Sequence, residues 1–272
     1  MAFASIMVPI DLEDDAAERL VLARSLAERF ASRLIGIAAC EPLPIRHYGR
    51  GAYINARIAE EGELRASERL VNTEEIFRAH TCGLARAEWR MSRGMLMPFL
   101  AEQARAADLV IVGRLRSASS TVWTEAVDAG ELILRLGRPV LVIPPGIRTL
   151  RLARVMIAWK DTREARRAVR DSLPFLTMAD RVCITSITPD ASHDGAEDLA
   201  DYLAQHGIAH TEIRRGPAGP GVADVLLKQA HEAAVDMIVA GAYGHSRLRE
   251  RVFGSVTEKL MADTPFCTLM SH

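Results

Sequence analysis

Short apolar runs alternate along this chain with amphipathic stretches of helical length, and the alternation is completed twice. In the first half Ser5–Ile10 (SIMVPI), Leu34–Cys40 (LIGIAAC), Ala87–Met91, Leu109–Gly113 (LVIVG) and Pro139–Ile143 (PVLVI) read as strands. Helices are expected near Asp14–Ala31, Asn55–Thr81, Leu96–Ala106 and Thr124–Leu136. Pro144-Pro145-Gly146 closes this unit and the pattern restarts. Val155–Trp159 (VMIAW), Val182–Ile187 (VCITSI), His210–Ile213, Met237–Gly241 (MIVAG) and Pro265–Met270 read as the second set of strands. The helices between them fall near Arg163–Leu176, Ala196–Gln205, Val222–Ala234 and Ser255–Ala262. Near-continuous apolar runs such as LVIVG and PVLVI indicate strands buried on both faces, as in a parallel sheet with helices on either side.

The second half repeats the first. Asp108-Leu-Val-Ile-Val-Gly113 aligns with Asp236-Met-Ile-Val-Ala-Gly241, and the runs at Pro139 and Pro265 follow at similar distances. An internal duplication accounts for this. The fold class expected is α/β, with two tandem doubly wound domains spanning 1–147 and 151–272. Ligands of such sheets bind beyond the carboxyl ends of the strands, where the strand order reverses.

Length and composition agree: 272 residues suit two domains, and 49% hydrophobic with 25% charged residues is an ordinary globular balance. Each half is electrically balanced, with 19 basic against 19 acidic residues up to 150 and 15 against 16 beyond it. Neither half has the basic excess expected of a nucleic-acid binder, so no nucleic-acid partner is expected. No run is long and apolar enough for a membrane helix or a signal peptide, so no membrane partner is expected either. Cys40, Cys82, Cys183 and Cys267 lie far apart without a CxxC pair, three of the four in or beside apolar runs, which reads as buried thiols in a reducing cytoplasm and not as a disulfide or metal site.

After the fourth strand of the second half comes Gly241-Ala-Tyr-Gly244, and nine residues further Gly254-Ser255 opens a helix. Glycines so spaced let backbone N–H groups approach a ligand, and a helix start with a hydroxyl favours a phosphate. The same residues also suit a strand end at Gly241, a positive-φ turn at Gly244 and an N-cap at Ser255. Spacing alone leaves both readings open.

G-x2-G-x9-G-[ST] after a strand reading D-x-I-V-x-G resembles the nucleotide-binding signature of the universal stress protein family. The chain looks like a tandem member. IMVPID, GRPVLVIP, AWKDTREARRAVRDSLP and the C-terminal LMSH add to the likeness. The resemblance implies a five-stranded parallel sheet per domain in order 3-2-1-4-5 and bound ATP, with or without magnesium, where the signature is kept. It assigns the phosphates to Gly241, Gly244, Gly254 and Ser255. A carboxylate at the end of the first strand contacts the adenosine in the family; here Lys160 stands at that position and Asp161 follows it. Asp161 is then the candidate for the ribose, and Lys160 for a phosphate or for solvent. The loop from Gly216 to Gly221 is read either as a pocket wall or as a turn.

In the first half Arg116 replaces the second glycine, and Gly130 comes too late and precedes Glu131. Glu13, Asp14 and Asp15 crowd the loop after the first strand, either repelling phosphate or capping the helix. This half reads as a degenerate partner, although Asp11 keeps the family position. His245, Arg247, Arg249 and Arg251 fall within the glycine-bounded excursion, as phosphate contacts or as solvated charge. Pro42–Tyr53, with Tyr48, reads as a lid or a partner surface. His206 and His210 read as surface residues, not metal ligands, because Gly207 between them marks a helix end. No hydrolase elbow, HExxH or P-loop motif occurs.

The function expected is therefore an ATP-binding stress or regulatory protein with slow or no hydrolysis. The alternatives are a nucleotide-free interaction module and, lowest, a small-molecule enzyme or carrier using the first cleft. The partners expected are an adenine nucleotide and the two domains paired as a pseudo-dimer through their fifth strands, with homodimerisation a further option.

Overall fold

The structure, a computed structural model, describes residues 2–12, 15–42, 52–114, 129–188, 194–217, 219, 221–244 and 256–272. Among the described residues ten strands form one sheet. The first half contributes β1 (Ser5–Pro9), β2 (Arg33–Ala39), β3 (Ala87–Ser92), β4 (Leu109–Gly113) and β5 (Val140–Ile143). The second contributes β6 (Arg154–Trp159), β7 (Arg181–Ile187), β8 (Thr211–Gly216), β9 (Met237–Gly241) and β10 (Cys267–Ser271). The sheet order is β3-β2-β1-β4-β5-β10-β9-β6-β7-β8, so each half has the order 3-2-1-4-5. Pairing within each half is parallel.

The two halves meet at their fifth strands, as the need to cover these edges requires. Val142 faces Thr268, Leu141 faces Leu269 and Val140 faces Met270 in an antiparallel ladder. β5 is buried throughout, which explains why its apolar run carries no polar alternation. The outer edges are β3 and β8. They carry Glu88 and Arg90, and Glu212, Arg214 and Arg215, the kind of charge that discourages edge-to-edge pairing.

Helices cover both faces. One face holds α1 (Ala16–Phe30), α2 (Ala52–Thr81), α5 (Arg163–Leu176) and α6 (Ala196–Gln205) over a core that includes Leu20, Leu26, Phe77, Val169, Leu173 and Leu199. The other holds α3 (Leu96–Gln103), α4 (Ala129–Leu136), α7 (Val222–Glu232) and α8 (Val256–Ala262) over Leu100, Ile133, Ala230 and Leu260. Both apolar layers run through the two halves without a break. Phe3, Phe30 and Phe175 pack with ring centroids 5.0–5.5 Å apart and join the end of α1 to the end of α5. Arg114 donates to Thr264 O at 2.7 Å, and Arg29 to Leu150 O at 2.7 Å.

The duplication extends to single hydrogen bonds. Asp108 Oδ2 accepts from the backbone N–H of Ala4 (2.8 Å) and Ser5 (3.1 Å), and Asp236 Oδ2 accepts from that of Arg154 at 2.9 Å. The acid that opens each fourth strand thus ties down the start of the first strand beside it, satisfying donors at a strand end.

Candidate functional site

In the second half the chain order reverses at β6, which pairs with β7 on one side and β9 on the other. The connections leaving the carboxyl ends of β6 and β9 therefore diverge, and α5 starts between them. Gly241 ends β9. A Cβ there would lie 2.7 Å from Glu164 C and 2.8 Å from Ala165 Cα, so glycine is what lets the first turn of α5 rest on the strand.

Gly244 is under no such demand. Its φ lies outside the left-handed region, and the nearest atoms to a Cβ would be side-chain oxygens, Glu164 Oε2 at 3.1 Å and Thr162 Oγ1 at 3.5 Å. The positive-φ role expected for Gly244 belongs instead to Tyr243, at φ 57°. Tyr243 N–H donates to Thr257 Oγ1 of α8 at 3.4 Å, which fixes the turn between β9 and the helix that follows. Gly254 and Ser255 lie outside the described residues, as do His245, Arg247, Arg249 and Arg251.

Glu164, in the first turn of α5, was not read from the sequence as part of the site. Its side chain is only 4% exposed, and Arg163 Nε donates to its Oε1. Burial opposes its ionisation, but the hydrogen bonds from Arg163, its own backbone N–H and Thr162 outweigh burial and hold the carboxyl below its usual range. Thr162 caps α5, its Oγ1 accepting from Ala165 N–H at 3.3 Å.

The first half resolves the same place differently. The registers Ile6–Leu109 and Val155–Met237 make Asp15 the counterpart of Glu164, Arg19 of Ala168 and Asp11 of Lys160. Arg19 is buried at 4% exposure; its guanidinium donates to Asp11 Oδ2 at 2.7 Å and to Asp15 Oδ1 at 3.4 Å. A Cβ on Gly113 would collide with Arg19 Nη1 and approach Asp15 Oδ2 to 3.1 Å. An internal cation thus occupies the first crevice. Asp15 precedes α1 without a side-chain capping bond, because its carboxylate turns to Arg19 instead. Arg116, Glu13 and Asp14 lie outside the described residues, and Gly130 is buried within α4.

The remaining expected residues are spread along the carboxyl edge. Asp161, 48% exposed, pairs with Arg166 at 2.6 Å, and Lys160 is exposed at the end of β6. Gly216 ends β8 with Gln229 Nε2 2.9 Å and Val225 Cγ1 3.0 Å from its would-be Cβ, so packing accounts for it. Gly221, at φ 87°, precedes α7. His206 and Gly207 end α6, Gly207 at φ 80°. Tyr48 lies outside the described residues, as does the side chain of Tyr53.

A second unforeseen cluster closes the β6–β8 edge. The Arg215 guanidinium bridges Asp194 (3.0 Å) and Glu197 (2.6 Å), and Trp159 Nε1 donates to Asp194 O at 2.7 Å. Burial resists ionisation of Asp194, but the bonds from Arg215, Ala196 N–H and Ser186 prevail and lower its pKa.

These features define a doubly wound α/β protein with two sheet-end crevices, one closed from within and one bordered by a glycine turn. Residues 154–271 match the family model described as the universal stress protein family. The match spans most of the second half, and the first half repeats the strand order of the second. A universal stress protein from Archaeoglobus fulgidus DSM 4304 superimposes with a TM-score of 0.70, covering 98% of this chain and 95% of that one at 14% identity. A functionally unknown protein from Pseudomonas aeruginosa PAO1 superimposes at 0.57, covering 99% and 92% at 18% identity. Curated proteins yield no match in sequence. Among the described residues no helix is long and apolar enough to cross a membrane.

Proposed function

We propose that this chain is an adenine-nucleotide-binding stress or regulatory protein in which the second half holds ATP and the first half holds none. The observation that supports this most is Gly244. No left-handed φ and no backbone contact calls for glycine there, whereas Gly241 and Gly216 are accounted for by what they touch. A glycine whose would-be Cβ meets only side-chain atoms, Glu164 Oε2 and Thr162, leaves its backbone approachable by a ligand once those side chains yield. Gly254 and Ser255 complete the phosphate set in this reading, Asp161 and Lys160 flank the nucleotide, and Gly216 lies at the outer wall. The fit is incomplete at one point, the Glu164 carboxylate facing Gly244.

Turnover is slow or absent. A carboxyl held below its usual pKa, as Glu164 is, makes a weak general base. The chain divides between 147 and 151 in this account, and cysteine thiols, buried at Cys40, Cys183 and Cys267 but exposed at Cys82 against the expectation of four buried ones, suit a cytoplasmic protein. A heat-denaturation comparison tests the proposal: ATP at 100 times its Kd stabilises by roughly 2.7 kcal/mol. Gly254→Val should abolish that shift while leaving the circular dichroism spectrum unchanged.

The Glu164 carboxylate also favours a second reading, a nucleotide-free interaction module whose halves are joined for structural reasons. Absence of any thermal shift with adenine nucleotides would select it.

A further inference from the structure

From the position of Glu164 we infer that the second-half crevice accepts a nucleotide only as its divalent-cation complex, with Glu164 imposing the requirement; this rests on the nucleotide reading above. The side chain is nearly inaccessible, yet Oε2 points toward the backbone of Gly244, 3.1 Å from where a Cβ would stand. A phosphate drawn to that glycine would meet a buried carboxylate at close range, where like charges repel far more than in water.

The two halves offer different remedies for the same acid. In the first, Arg19 reaches Asp15 and Asp11 from one turn along α1 and stays buried between them. In the second, the counterpart of Arg19 is Ala168, which has no charge to offer. Thr162 and a backbone N–H donate to Glu164 without bringing a charge, and the cation paired with it is Arg163, whose side chain is 77% exposed and therefore largely screened by water. Arg163 also bonds Oε1 through Nε, leaving Oε2 as the oxygen that faces the glycine turn. Lys160, in place of Asp11, is exposed at the end of β6.

A hard divalent cation takes carboxylate and phosphate oxygens together and converts the repulsion into a shared ligand set. Among the described residues no three His, Cys, Asp or Glu side chains converge to hold a metal on their own. In this inference the cation arrives with the nucleotide, whose phosphates supply most of the ligands and Glu164 one more, directly or through water.

The test is calorimetric titration of the full chain with ATP in excess magnesium chloride and in excess EDTA, with adenosine as a phosphate-free probe in both media. The parent should bind ATP at least about tenfold more weakly in EDTA, and adenosine equally in both, since only the phosphates face the carboxylate. Glu164→Gln should bind ATP in EDTA about tenfold more tightly than the parent does, so that its dependence on the cation collapses. Glu164→Asp, which keeps the charge, should retain the dependence, and circular dichroism confirms that each variant is folded. Equal ATP affinity of the parent in both media overturns this inference and leaves the nucleotide reading standing. Full cation dependence in folded Glu164→Gln also overturns it, by removing Glu164 as the cause. No binding of ATP or adenosine in either medium overturns the nucleotide reading and this inference together.

Discussion

Replacing Gly241 by alanine places one methyl group where two backbones already meet. The added Cβ would lie 2.7 Å from Glu164 C and 2.8 Å from Ala165 Cα, against about 3.5–4.0 Å for ordinary carbon contacts, so β9 and α5 must separate by about 1 Å. β9 cannot yield, because it is paired on both sides, to β10 and to β6. α5 must move instead, and it carries Val169, Leu173 and Phe175 into the shared core. Overpacking usually costs about 1–3 kcal/mol, and the upper end applies where both neighbours are backbone. At roughly 2–4 °C per kcal/mol for a chain of this size, the melting temperature should fall by about 6–12 °C. Urea denaturation followed by circular dichroism should show a lower midpoint with an unchanged m-value. Gly244→Ala is the control: its Cβ meets the movable end of a side chain at 3.1 Å and should cost under about 1 kcal/mol. If Gly241→Ala were as stable as the parent, or Gly244→Ala equally damaging, the division of the glycines into a packing residue and a ligand-facing residue would be wrong.

Arg19→Ala should destabilise the chain by about 3 kcal/mol, because it removes the guanidinium that Asp11 and Asp15 share in a mostly buried crevice. Adding Asp15→Asn should recover part of that loss in urea melts, and no recovery would argue against the ion-pair account. Asp194 has a folded pKa below its ordinary 3.8, so its pairing with Arg215 stabilises fully above that value and is lost as pH falls through the lower folded one. The stability gap between the parent and Asp194→Asn, measured in urea, should therefore be wide at pH 7 and shrink as pH falls below 3.8. Thiol labelling of the native protein should modify Cys82 quickly and spare the buried Cys40, Cys183 and Cys267, the last with its pKa pushed up to about 12 by burial and by Asp236. Rapid labelling of Cys267 without unfolding would contradict the packing of β10.

The fold was legible because its signals are local. Runs such as LVIVG and PVLVI can be read without knowing their neighbours, and the repeat of Asp108–Gly113 in Asp236–Gly241 exposes the duplication directly. Even the joining of β5 to β10 follows from an edge that must be covered. The site was legible only as a motif. Gly241 serves the approach of α5, but Ala165 is some eighty positions away and no spacing rule links the two. Glu164 lies inside the run AWKDTREARRAVRDSLP, where it reads as an ordinary acid favouring a helix start. Its closeness to Gly244 depends on β6 and β9 lying side by side. Arg19 looked like one polar residue of an amphipathic helix, and only Gly113 above it and Asp11 before it turn it into an internal plug. A comparison of the two copies could have raised the question, because an arginine in one is an alanine in the other.

The central claim is an asymmetry: two copies of one fold, the first closed by Asp11, Arg19 and Asp15 and the second, with Ala168 in place of Arg19, taking a nucleotide at Gly244. Isothermal titration of the full chain with magnesium and ATP measures it directly. One nucleotide per chain, lost in Gly254→Val and unaffected by Arg19→Met, is the result this account predicts. Two equivalent sites, or a single site that survives Gly254→Val and disappears in a folded Arg19→Met variant, would contradict it by placing the nucleotide in the first half.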